Sequence, residues 1–454
     1  MAHLERIAAF VADSPRGAIA PAALDAAKLA LVDLLGVCVA GSVESVSGIV
    51  ARHVERSSRG AATVVGATFR AAAADAALAN AATGHALDFD DSSFVLGGHP
   101  SVTMLPALLA VAEEQGASGK AVLEAYVVGY EVMMKLSRAV NFEHYEKGWH
   151  PTATMGVFGT AAAVSHLLGL QAGAVQNALA LAASMASGLK ANFGAMSKAF
   201  QVGQASRNGV VCAQLAADGL TASAAALEGQ QGFLMAYNGE GKFRAEGLSD
   251  FGGTLEILDP GLAFKKYPCC GATHAPIDAA LQMVREMPVA AGEVESITIA
   301  INRRRLPHVN RPVVTTGLEA KFSLHYTVAA ALTDGAISLR HFGDASIARA
   351  DLKAMTERVQ AVGVDRGESL SQACELTVRL KDGRTHSVSR EDADGRAAVD
   401  YPAYMEPKFI DCVEQVFDRA FALELLPQLT SFEQCADVAQ VMRKLGRSGS
   451  GGTN

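Results

Sequence analysis

Five polar clusters interrupt an otherwise apolar chain, and each carries residue types that can move protons or hold charge. The first runs Gly84-His85-Ala86-Leu87-Asp88-Phe89-Asp90-Asp91-Ser92-Ser93 and continues at Gly97-Gly98-His99-Pro100-Ser101. Three aspartates in four residues are costly to bury unless paired or hydrogen-bonded, so the plain reading is an exposed acidic helix end. A metal site would need further spaced ligands, which this stretch does not supply. The second cluster, Gly148-Trp149-His150-Pro151-Thr152, sets a histidine beside the only tryptophan at the start of a helix, where anions are favoured. The third, Asn192-Phe193-Gly194-Ala195-Met196-Ser197-Lys198, offers one lysine in a small, apolar segment, as a carboxylate anchor or a base. The fourth is Phe264-Lys265-Lys266-Tyr267-Pro268-Cys269-Cys270-Gly271-Ala272-Thr273-His274. It falls where the composition changes, and clefts concentrate at such boundaries. Its adjacent cysteines leave thiol chemistry or plain burial. The fifth, Lys321-Phe322-Ser323-Leu324-His325-Tyr326, ends on a tyrosine that could donate a proton or simply pack.

The elements that must position these clusters are mainly helical. Pro21 opens a run through Val39 with Ala, Leu and Val every three or four residues, and Gly41 offers a stop. Similar runs cover about 72–87, 102–115, 119–140, 152–169, 173–188 and 203–219, and their small residues permit close helix packing. This is a large all-helical domain, residues 1–265. Beyond it, Val294–Ile301 and Cys374–Leu380 alternate with the two-residue period of strands, and Asp382-Gly383 is a hairpin signal leading into Thr385–Ser389. Helical stretches near 275–287, 325–338 and 348–358 complete a smaller α+β domain, 266–404. Residues 405–446 return to helical periodicity and are expected to pack back on the first domain, while 447–454 is a Gly/Ser-rich tail. The fold class is thus mainly α with α+β.

Composition narrows the function. A chain of 454 residues with 50% hydrophobic content can bury two cores. No apolar run reaches the ~18–20 residues of a membrane span, and the N-terminus lacks a signal-peptide pattern, so a soluble, cytoplasmic protein is expected. Seven cysteines without a CxxC pair argue against both a disulfide framework and a zinc ribbon. A net charge of −8 argues against a nucleic-acid partner, and an anionic substrate would need a local basic pocket. Gly239-Glu240-Gly241-Lys242 lacks the remaining glycine and the preceding strand of a dinucleotide fingerprint.

In set and order, the clusters resemble the MmgE/PrpD family, which includes 2-methylcitrate dehydratase, cis-aconitate decarboxylase and iminodisuccinate epimerase. The resemblance runs from about residue 5 to 445. Its specific parts are Asp-Phe-Asp-Asp with the later His-Pro-Ser, Trp-His-Pro leading into Gly-Val-Phe-Gly, the Lys198 segment, and Tyr-Pro-Cys-Cys-Gly-Ala-Thr-His. It implies a helical domain with a smaller α+β lid, a homodimer and no obligatory cofactor, and no metal is expected because the polar clusters offer no compact ligand set. It also places Asp88, Ser92, His99, His150, Lys198, Lys265, Cys270, His274 and Tyr326 around one pocket. Of these, Ser92, Lys198, Lys265 and His274 would bind substrate, and His99, His150, Asp88, Lys198, Tyr326 and Cys270 would serve catalysis. The chain departs from the decarboxylases at Cys270, where they carry histidine. Many members have Lys-Pro and a nearby histidine where this chain reads Lys198-Ala199-Phe200-Gln201. The implied activity is a dehydratase-type lyase on a small di- or tricarboxylate, which moves a proton beside a carboxylate. An epimerase, a cis-aconitate-type decarboxylase and a non-catalytic carboxylate-binding homologue are the alternatives.

Overall fold

Alanine, leucine and small residues at helical spacing form helices Pro21–Gly41, Ala73–His85, Ser101–Gln115, Gly119–Val140, Pro151–Leu168, Ala172–Met185 and Ser197–Ala217. In the computed structural model the described residues are 2–14, 17–251, 253–287, 290–365, 372–393 and 401–447. The tail expected at 447–454 therefore lies, from residue 448 on, outside them. Local chemistry sets the helix ends. Pro21 and Pro151 occupy first turns, where their missing N–H costs nothing. Ser118 caps its helix by accepting the Ala121 N–H at 3.3 Å. Gly116 and Gly169 close theirs with left-handed φ of 62° and 71°.

Cα proximity divides the chain into two units: Met1–Asn192 with Met196–Phe264 and Ala397–Asn454, and Phe193–Ala195 with Lys265–Arg396. The sequence reading set its boundaries at 265/266 and 404/405 instead. The first unit's core includes Leu34, Met104, Tyr126, Phe158 and Val202, all fully buried. A large apolar side chain buried in this way contributes roughly 1.5–3 kcal/mol. Glycine lets the helices approach. A Cβ at Gly129 would stand 2.6 Å from the Gly159 carbonyl, and one at Gly203 would stand 2.5 Å from the Leu78 carbonyl. The second approach seats helix Ser197–Ala217 directly on helix Ala73–His85, which brings the third polar cluster to the first. Helix Pro402–Val413, from the C-terminal stretch, lies against Pro21–Gly41.

The second unit is built on a four-stranded sheet. Val294–Asn302 pairs in parallel with Val359–Val364 and antiparallel with Cys374–Leu380, which pairs in turn with Thr385–Arg390. Alternation turns Ile297, Ile299 and Ile301 inward with Leu376 and Val378, under helices His274–Glu286 and Leu324–Asp334. The expected hairpin turns at Gly383, φ 90°. The sequence reading had not placed Val359–Val364. It is an edge strand that follows a helix almost directly, and Gly363 weakens its pattern. No single described helix is long and apolar enough to cross a membrane, although the pair Pro21–Gly41 and Ser45–Ser57, bent by 88°, meets that test in composition.

Gly203→Val is expected to cost about 1–3 kcal/mol by overpacking the helix contact, because backbone rather than a flexible side chain stands in the way. Urea unfolding of the variant checks it, and an unchanged midpoint would contradict the packing argument.

Candidate active site

Helix Ala73–His85 ends on His85, and the chain leaves it through Asp88, the one described non-glycine residue with a left-handed φ, 52°. Such a backbone costs about 1–3 kcal/mol and persists where the surroundings enforce it, and aspartate tolerates it better than most residues. The turn carries Asp88, Asp90 and Asp91 into the interior, each 3% exposed or less. The exposed acidic helix end is therefore ruled out, and every one of these carboxylates has a partner.

Lys198, in the first turn of helix Ser197–Ala217, makes a buried ion pair with Asp88. His99 bridges two aspartates, with Nε2 3.6 Å from Asp88 Oδ1 and Nδ1 3.3 Å from Asp90 Oδ2. His85 Nδ1 donates to Asp90 Oδ2 at 2.8 Å. Burial would push the Asp90 carboxyl up, but His85 and His99 overcome it and hold the group well below the usual carboxylate range. Asp91 goes the other way. Burial lifts it well above that range, against hydrogen bonds from Ser101, whose hydroxyl also meets Tyr126 at 2.6 Å.

His85 and His150 are held neutral. Burial first, with help from the Lys198 charge, lowers His85 to about 4, against the attraction of Asp90. With its proton on Nδ1, His85 carries a lone pair on Nε2, a buried atom with no hydrogen-bond partner among the described residues. Burial and then the Lys198 charge likewise push His150 far down. Gln201 Oε1 accepts from His150 Nδ1 at 3.0 Å, which again leaves the lone pair on Nε2. The His85 ring lies 4.6 Å from that of His99 and 5.9 Å from that of His150. One buried cluster thus holds two neutral imidazoles, a bridging histidine, an ammonium and paired carboxylates.

Of the residues singled out from sequence, Asp88, His99, His150 and Lys198 come together here. Ser92 is nearby in the chain, but its backbone exchanges hydrogen bonds with Ala263, at 2.7 and 2.8 Å, and its hydroxyl donates to the Ala263 carbonyl at 3.2 Å. The other four lie in the second unit. Lys265 is buried there. Cys270 is half-buried, its N–H donating to the Lys321 carbonyl at 2.9 Å. His274 is buried, with Nε2 donating to the Cys269 carbonyl at 3.2 Å and its ring edge-on to Tyr267. Tyr326, expected to donate a proton to substrate, gives it instead to the His341 carbonyl at 2.5 Å.

Sequence reasoning missed His85 and Asp90 as site residues. Both stand in the first cluster, but their pairing across five positions forms only once the helix ends at His85 and the chain turns back. The expectation that no compact ligand set exists also needs correction. His85, Asp88, Asp90 and His99 each offer a donor atom, all within 4.8 Å of one another, and could hold a metal ion. An ion there would compete with the Lys198 ammonium for Asp88 and with the His85 proton for Asp90.

Comparison with known proteins gives a consistent picture. Residues 5–246 match the MmgE/PrpD N-terminal domain and residues 267–426 the MmgE/PrpD C-terminal domain. The cis-aconitate decarboxylase of Homo sapiens is 31% identical over 370 residues, 79% of this chain and 76% of that protein. That of Mus musculus is 31% identical over 374 residues, 79% and 75% respectively. One of Aspergillus terreus is 30% identical over 311 residues, 63% and 62%.

A neutral buried histidine leaves a mark on stability. Folded His85 titrates at about 4 and an unfolded histidine near 6.5, so between those values the unfolded chain binds a proton that the folded chain does not. The contribution of His85 is therefore lost as pH falls from 6.5 towards 4 and is flat above 7. Buried acids such as Asp91 act in the opposite sense, so the difference between two proteins is the readout. Relative to His85→Asn, which keeps a donor to Asp90, the wild-type chain is expected to lose stability across that window with a slope of up to about one proton. Parallel curves would place His85 in a solvated, ordinary environment.

Proposed function

The chain belongs to the MmgE/PrpD family, and from that premise we propose that it is a lyase acting on a small tricarboxylate by moving a proton at a carbon next to a carboxylate. The observation that carries this reading is the buried meeting of the Lys198–Asp88 ion pair with neutral His150 and His85. Removing a proton beside a carboxylate spreads negative charge onto that carboxylate, so a cation must face it and a base must stand ready. Lys198 supplies the cation, His150 the base through Nε2, and His99 the second proton carrier, oriented by Asp88 and Asp90. The family resemblance assigns Lys265 to a substrate carboxylate, and its side chain is buried.

The names of the relatives bring decarboxylation level with the elimination first expected. Both need a proton moved at a carbon next to a carboxylate, in opposite directions. Elimination takes it from carbon and expels hydroxide from the neighbouring position, whereas loss of CO2 leaves a carbanion that must receive it. Lys198 also offers the positive charge that a metal would supply, so the reaction is assigned to side chains alone.

Incubation with cis-aconitate and hydroxy-tricarboxylates in deuterated water, followed by NMR, separates the outcomes. Deuterium in a product one carbon shorter marks decarboxylation, loss or gain of water marks the dehydratase, and exchange without net conversion marks an epimerase. No exchange or turnover with any of them would refute the reading. Lys198→Met is expected to lower kcat/KM by about 10²-fold, and Lys265→Met to act in the same direction. His150→Gln and His99→Gln should stop exchange while a substrate analogue still binds, and Cys270→Ser should retain substantial turnover. The reverse pattern would indicate a thiol mechanism.

Prolonged dialysis against EDTA should leave the rate unchanged. A loss restored by one divalent ion would instead assign the His85, Asp88, Asp90 and His99 donors to a metal.

A further inference from the structure

The loop that bears Asp88 and Asp90 is gripped by a helix more than three hundred positions away. Helix Pro402–Val413 packs on Pro21–Gly41 where Gly36 makes room, since a Cβ there would stand 3.0 Å from the Phe409 ring. In that seam Lys408 is buried, with its Nζ donating to Asp33 Oδ1 at 2.5 Å and to the Phe89 carbonyl at 3.0 Å. The same ammonium lies 4.0 Å from the centre of the Phe89 ring. Tyr401, at the head of the helix, donates its hydroxyl to Asp33 Oδ1 at 2.8 Å and stacks on Phe264 with ring centres 3.9 Å apart. The residue before Phe264 is Ala263, the backbone partner of Ser92. Phe89 stands between Asp88 and Asp90. The stretch 88–92 is thus held in its middle by Lys408 and at its end by Ala263.

We propose that Lys408, anchored by Asp33 and Tyr401, is a positioning residue of the reaction: it fixes the Phe89 peptide so that Asp88 meets Lys198 and Asp90 meets His85 and His99. This rests on the reading of those groups as the reacting site. A lysine buried in an apolar seam carries a desolvation penalty that an apolar side chain of similar volume would not. Holding one helix against another needs no ammonium. What the ammonium adds is a donor to a main-chain carbonyl and a cation against an aromatic face, both on the residue between the two site aspartates. Asp33 is the counter-charge that keeps it there, and it is itself fully buried, with Oδ2 lacking a hydrogen-bond partner among the described residues.

The test compares Lys408→Met, the double variant Asp33→Asn with Lys408→Met, and Tyr401→Phe, by thermal unfolding, steady-state kinetics and amide deuterium exchange over residues 88–93. Lys408→Met strands the Asp33 carboxylate and should lower both stability and kcat. The double variant buries no charge in the seam, so it should regain stability while kcat stays about 10–100-fold low, because loss of geometry and not of folding limits it. In both, KM should remain within about 2-fold and exchange over 88–93 should quicken. Tyr401→Phe removes one hydroxyl, folds in any case, and should lower kcat a few-fold at unchanged KM. Normal kcat in the double variant or in Tyr401→Phe, or unchanged exchange over 88–93, overturns the proposal. If exchange quickens but the wild-type chain turns over no polycarboxylate, the functional reading fails and the grip on the loop stands.

Discussion

An ionised carboxylate tolerates an apolar interior only where a cation or a set of donors meets it, since an uncompensated buried charge costs several kcal/mol. Asp33, Asp88, Asp90 and Asp91 all lie buried in the helical unit, and each meets that requirement in its own way. Asp88 takes the Lys198 ammonium and Asp33 that of Lys408, while Asp90 takes two histidines. Asp91 is driven towards its neutral form beside Ser101. Lys198 and Lys408 come from helices distant in sequence, so those two pairings also fix where a helix may sit. Because Asp88, Asp90 and Asp91 lie so close in the chain, satisfying all three at once leaves the loop from His85 to Ser101 little freedom.

Reaching these pairings depends on how near the helices can come. Lys198 meets Asp88 because helix Ser197–Ala217 sits on Ala73–His85 with backbone almost touching at Gly203. A larger residue there would lift the lysine away. At the opposite seam, Gly36 admits Phe409 and with it Lys408. The alanine- and glycine-rich composition, which by itself says only that helices pack closely, therefore sets the spacing on which the charge pairs depend.

Much of the scaffold was legible in the sequence, because helix periodicity is a local signal and its stops are glycines and prolines. Most main helices begin and end close to where the pattern puts them, although Ser197–Ala217 starts six residues before the expected 203, and Cys374–Leu380 and the hairpin after it follow from alternation and Asp382-Gly383. The site was legible only in part. Asp88, His99, His150 and Lys198 stand out as polar residues in apolar surroundings, but nothing local says that Asp88 turns through a left-handed conformation or that three aspartates go inside. His85 falls in the expected helical run 72–87 and Lys408 in the helical stretch 405–446, and nothing local marks either one. Their roles exist only after tertiary packing sets Lys408 over Phe89 and His85 against Asp90. Tyr326 carries a hydroxyl in a suggestive motif, and its bond to the His341 carbonyl is equally absent from the local sequence signal.

The same burial that disposes of the carboxylates sets the protonation of the histidines before substrate arrives. His85 and His150 are kept neutral, their proton-accepting nitrogens defined by Asp90 and Gln201. A polycarboxylate entering such a cluster brings negative charge to within a few ångströms in a medium of low effective dielectric, where one charge pair at 4 Å is worth about 4 kcal/mol at an effective dielectric of 20. That charge acts on both imidazoles in the direction opposite to the Lys198 ammonium, raising their proton affinity from its depressed starting point towards neutrality. A base of very low affinity takes a proton from carbon poorly, and one of very high affinity is already protonated at neutral pH. Burial alone gives the first condition, and substrate charge moves it towards the range in which one imidazole can both accept and return a proton. The electrostatics that stabilise these buried pairs would therefore also make the proposed site responsive to an anion.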